Sequence, residues 1–186
     1  MTLDCPAECV YLQQARAHEK PRSLEGLDRD ALMPQIEVSQ PFLYEHEHLI
    51  TGLSYALARS ARADRGLADT DLIAAVTALA RSYETLINSG LYYDAQAPSA
   101  SRQAVAAEMQ KMVKEYREAE QKHLGYSRLR DADVLRALVF LLRMAQTRTS
   151  GRPKSRAFVD FLRVQFPESQ SLIGAQPEPA GRIIVP

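Results

Sequence analysis

The chain has 186 residues, with 23 basic and 23 acidic side chains, four His, two Cys and no Trp. That length suits one domain, which at this size buries roughly 70% of its unfolded surface and holds together without a disulfide framework. No apolar run approaches the ~18 residues of a membrane span, and the start, Met1-Thr2-Leu3-Asp4-Cys5-Pro6, has neither a basic nor an apolar leader region, so the expected setting is cytoplasmic and off the membrane.

Ala and Leu together number 48 against 24 for Val, Ile and Thr combined. Ala and straight-chain residues lose little freedom in a helix, whereas β-branched ones suit pleated surfaces, so the composition points to an all-α fold. Gly66, Gly90 and Gly125 each follow a helix-like run, where a glycine relieves the left-handed conformation of a C-cap.

In chain order, the first predicted helix covers Pro6 to Lys20, closed by Pro21. Residues 21–41 read as a Pro-containing connector with a short turn at Asp28–Met33 and an alternating, extended stretch between Pro34 and Pro41. Four longer helices follow. Phe42 to about Arg65 aligns Phe42, Leu49, Leu53, Leu57 and Ser60, and Thr70 to Ser89 aligns Leu72, Val76, Leu79, Tyr83 and Leu86. A third, over about 101–124, aligns Val105, Met109, Met112, Tyr116 and Ala119. Asp131 to Thr147 is apolar nearly all round, the pattern of a helix central to a bundle or buried in a partner interface.

A further helix, Ser155–Phe166, carries Phe158, Phe161, Leu162 and Phe166. The resulting architecture is an antiparallel four-helix-bundle core (42–89 and 101–147 as two helix hairpins) with an added N-terminal helix, a C-terminal helix and a disordered tail. Three regions follow: residues 1–41 packing on the bundle, the bundle at 42–166, and a flexible Pro-rich tail at 167–186. Asp69-Thr-Asp71 and Asp131-Ala-Asp133 echo one another at two helix starts, where N-capping and favourable charge on the helix dipole explain them.

Net neutrality hides an asymmetry. Residues 1–50 hold nine acids and four bases, whereas 128–163 hold nine bases and three acids. Within the basic stretch, Arg148, Arg152, Lys154 and Arg156 lie in a flexible-looking Thr-, Ser- and Gly-containing loop, a candidate grip on phosphate or nucleic-acid backbone.

Two candidate metal sites stand out. Glu45-His46-Glu47-His48 and Glu120-Gln121-Lys122-His123 both contain Glu-x-x-His, which resembles the ligand motif of ferritin-like di-iron proteins over eight residues. Glu45 to Leu53 is also similar to the first helix of hemerythrin-like domains, without the His and Glu ligands that family carries on later helices. At ~100° per residue, His46 falls within roughly 20° of its helix's apolar stripe, His123 faces the stripe of its own helix, and Glu120 and Glu84 flank theirs. The 131–147 helix offers no Glu, so an iron site at His46, Glu84, Glu120 and His123 would lack its full ligand set.

Cys5 and Cys9, four residues apart with about 6 Å of helical rise, could supply half of a tetrahedral zinc site completed by a His. No phosphate-binding glycine loop or nucleophile elbow occurs. The leading expectation is therefore a cytoplasmic helical-bundle module that binds a protein partner or itself. Metal binding through zinc or iron, and phosphate or nucleic-acid binding by the 148–156 loop, stand as alternatives.

Overall fold

A computed structural model of the chain describes residues 10, 11, 27, 29–91 and 99–167. The expected helix at 6–20 (apart from Val10 and Tyr11, which are helical), the candidate zinc residues Cys5 and Cys9, and the expected disordered tail beyond Pro167 lie outside the described residues. Among those described, every regular element is a helix. A single 3-10 turn, Asp30–Leu32, precedes α1 (Gln40–Glu45), α2 (Glu47–Ala63), α3 (Asp69–Ser89), α4 (Ala100–Leu124), α5 (Asp131–Arg148) and α6 (Ala157–Gln165).

The helix starts follow local chemistry. Ser39 caps α1, its hydroxyl accepting from the Phe42 N–H at 3.4 Å, and Pro41 occupies the first turn, where its missing donor costs nothing. The two Asp-x-Asp echoes use their second acid alike. Asp71 reaches back to the Ala68 N–H at 3.1 Å and Asp133 to the Arg130 N–H at 3.2 Å, half of a capping box in each case. Ser99 caps α4 through the Arg102 N–H.

Two local expectations are corrected. The run from Phe42 to Arg65 is not one helix but two, broken at His46, whose φ of −110° and ψ of 23° leave the helical region. Gly66 is not a left-handed cap. Asp64 ends α2 in an extended conformation and its carboxylate accepts the Gly66 N–H at 2.8 Å, so an Asx turn does that work.

The stripes read from the sequence converge on one core. Leu49, Leu53, Leu57, Leu72, Val76, Met109, Leu138, Leu141, Leu142, Phe158 and Leu162 are almost completely buried. Each such side chain contributes about 1.5–3 kcal/mol. α5 sits centrally, as its all-round apolar pattern requires, touching α2, α3, α6 and the 3-10 turn, with nine of its residues buried. The tightest packing is α3 on α5 and α2 on α4, followed by α3 on α4. The main contacts therefore run between the two predicted hairpins rather than inside them, because a short loop fixes adjacency in the chain but not which apolar faces meet.

α2 and α4 run antiparallel. Met112 lies against Gly52, Arg59 pairs with Glu108, and the Ser101 hydroxyl donates to Asp64. α6 closes the side of the bundle over α2 and α3.

Candidate functional site

His46 sits at the α1–α2 break, half-buried, its ring 4.6 Å from that of Phe42 at an interplanar angle of 39°. Its Nε2 lies 3.9 Å from Asp133 Oδ1 on α5. The same carboxylate faces Arg130 Nε and Arg136 Nη1, each at 3.8 Å, while its Oδ2 caps its own helix. A Glu-based ligand pattern passes over Asp133 as the partner of His46. The repeated Asp-x-Asp was the signal that could have found it.

The other expected iron ligands do not join His46. Glu84, on α3, accepts from Gln35 Nε2 at 2.8 Å. Glu120 is committed to the α4–α5 loop, where its Oε2 accepts from the Ser127 hydroxyl at 2.7 Å and from the Arg128 and Leu129 N–H groups at 3.0 and 3.1 Å. His123 is exposed rather than facing the stripe. The last fully buried residue of α4 is Val113, and Tyr116 is its last apolar side chain packed against the core, so His123, two turns further on, has no core to face. Among the described residues no group of three or more His, Cys, Asp and Glu side chains is placed to hold a metal ion.

The basic loop is built rather than loose. Thr149 and Ser155 are buried, the Ser150 N–H donates to Ser155 Oγ, the Gly151 N–H donates to Thr149 Oγ1, and Thr70 Oγ1 donates to the Pro153 carbonyl. Arg148 lies over the Phe161 ring, 3.6 Å from its centroid, and Arg156 donates to the Arg65 carbonyl. Arg152 and Lys154 are exposed. A helix N-terminus ordinarily offers free N–H groups to an anion. At α6 that position is filled from within: Asp69 Oδ1 accepts from the Phe158 and Val159 N–H groups at 3.1 and 3.0 Å.

Several large apolar side chains are left in solvent, Val10, Tyr11 and Val164 on α6 among them, and others lie on the ends of α3 and α4. The pairing of Arg102 with Asp71 aligns the starts of α4 and α3, so their far ends lie together. Those ends carry Ile87, Leu91, Leu124 and Tyr126, all exposed. Tyr44 on α1 is 78% exposed, and its neighbour Glu45 is one of the carboxylates that favour the Arg128 charge. Arg128 is held above its ordinary pKa first by its hydrogen bond to the Tyr126 hydroxyl, with Glu120 and Glu45 adding to the effect. No family model, curated protein or solved structure matches this chain.

At the opposite end, a shallow cavity of about 230 Å³ separates α2 from α4, with Ala63, Leu67, Ala104 and Val105 as its apolar wall and the Arg59–Glu108 pair at its rim. Among the described residues no helix is long and apolar enough to cross a membrane.

Proposed function

We propose that the protein is a cytoplasmic helical-bundle interaction module, binding a protein partner or a second copy of itself through the end formed by Tyr44, Ile87, Leu91, Leu124 and Tyr126. The observation that carries this reading is the exposure of these large apolar side chains on helix ends that point the same way, with Arg128 and Glu45 as polar neighbours, the composition of a contact patch with a charged rim. The commitments of two acids support it. Asp69 and Glu120, which chemistry could have used, have their oxygens taken by backbone N–H groups and serine hydroxyls. The cytoplasmic setting rests on a core that needs no disulfides.

Light scattering across a concentration series, combined with crosslinking, tests the reading. Self-association or a captured partner should be lost in a Leu124→Asp/Tyr126→Asp variant that keeps its helix content. A chain that stays monomeric at every concentration and captures nothing dependent on those two residues would end it.

A further inference from the structure

The connector from Arg29 to Ser39 has a mode of attachment unlike the rest of the core. Its internal backbone bonds are local: Leu32 N–H to the Arg29 carbonyl, Met33 N–H to Asp30, and Ile36 N–H to Met33. Among residues 29–39, Met33 alone is fully buried, entering the common core. It does so in the left-handed conformation, φ 48°, which a side chain bearing a Cβ adopts only where docking offsets the cost.

The polar attachment converges on one side chain. Arg143, on α5, donates from Nε to the Leu32 carbonyl at 3.0 Å and from Nη2 to those of Met33 and Ile36, both at 2.8 Å. Among the described residues no carboxylate pairs with this guanidinium, so the three carbonyls take the place of a counter-ion. A further side-chain hydrogen bond from the connector, Gln35 to Glu84, is exposed and open to competition from water.

We propose that residues 29–39 form a releasable strap, latched by Arg143 and plugged by Met33, whose opening uncovers the apolar surface beside α5 that the strap itself occupies at rest. The helices lock to one another through continuous apolar faces. The strap instead has one fully buried methionine, with Ile36 and Val38 only partly buried against the core, and one cation that reads its backbone carbonyls. It can therefore part from α5 while the bundle stays folded, as low-stability elements of a domain commonly do. This inference does not depend on the apolar end of the bundle as a binding face.

Hydrogen exchange on the full chain tests it. In wild type at sub-denaturing urea, the Met33 and Ile36 amides should exchange at least about tenfold faster than those of Leu138 and Leu141 in α5. Arg143→Ala should raise the strap rates about tenfold further while leaving the α5 rates in place. If Arg143→Ala does not fold, the wild-type comparison decides alone. Strap amides that open only together with Leu138 and Leu141 would overturn the proposal, as would an unchanged strap rate in a folded Arg143→Ala protein.

Discussion

The Ser155 hydroxyl donates a 2.6 Å hydrogen bond to Asp69 Oδ2, joining two almost completely buried side chains that are 86 residues apart in the chain. Asp69 Oδ1 at the same time caps α6, and the Asp69 N–H donates to the Ser155 carbonyl at 2.8 Å. One carboxylate at the start of α3 thus performs the task that Arg156, at the N-cap of α6, cannot. It also holds in register the loop carrying Arg152 and Lys154.

Asp69→Ala should therefore cost far more than Asp71→Ala, although the two acids lie in one motif. The first removes acceptors from two buried N–H groups and a buried hydroxyl, for about 3 kcal/mol of lost stability. The second removes one cap contact and an ion pair with Arg102, for about 1 kcal/mol. Urea denaturation midpoints of the two variants provide the comparison. Equal effects would contradict the cross-helix cap.

Glu120→Ala should loosen the loop from Gly125 to Arg130 at a cost of about 1–2 kcal/mol, because three donors lose their acceptor while the surrounding water can replace part of it. Faster amide exchange at Arg128 and Leu129, with α5 amides unchanged, is the signature.

The parts of the fold governed by periodicity were readable in the sequence. Leu49, Leu53 and Leu57, or Leu72, Val76 and Leu79, can share a face only on a helix, and burial of that face follows. What escaped was whatever depends on a distant donor or on where packing stops. Asp69 looks like a cap for its own helix, and nothing in the local sequence names Phe158 and Val159 as its donors. His123 falls on the stripe only if the stripe is extended two turns past Tyr116, the last α4 side chain that packs against the core. The break at His46 lies in an uninterrupted run of helix-compatible residues, and its marker, the Asp133 carboxylate, comes from another helix.

Gly90→Ala and Gly125→Ala isolate a backbone effect. Both glycines end their helices at positive φ, 70° and 80°, and a Cβ at either would meet nothing within 4 Å. Each substitution should cost about 1 kcal/mol through the left-handed backbone alone, with no change in packing. Thermal melts of the single variants and of the double variant, which should be additive, check this.

At Gly52 the balance differs. A Cβ there would come 3.2 Å from Met112 Sδ, the far end of a flexible side chain. Alanine gains about 1 kcal/mol of helix propensity, and a small shift of the thioether offsets part of that, so Gly52→Ala should fall within about 1 kcal/mol of wild type. Gly52→Leu has no such escape and should destabilise by about 2–3 kcal/mol by forcing α2 and α4 apart. Denaturant midpoints separate the two outcomes.

Tyr116 gives the protein an alkaline liability. Partial burial on α4 raises its pKa above the ordinary value of 10.0, and the nearby Glu120 carboxylate pushes it the same way. In the unfolded chain the phenol ionises at its ordinary value, so above that pH the unfolded state gives up a proton that the folded state still holds. Folding is then penalised progressively as pH rises from about 10 through the raised folded-state pKa, and nothing is lost below it. Tyr116→Phe removes this penalty. Between pH 9 and 11, on the order of the range over which the group titrates, the melting temperature of wild type should fall more steeply than that of Tyr116→Phe. Adding Glu120→Gln to wild type should recover the smaller part of the difference, since the carboxylate is the lesser of the two causes. Parallel slopes for wild type and Tyr116→Phe would show that the phenol ionises alike in both states.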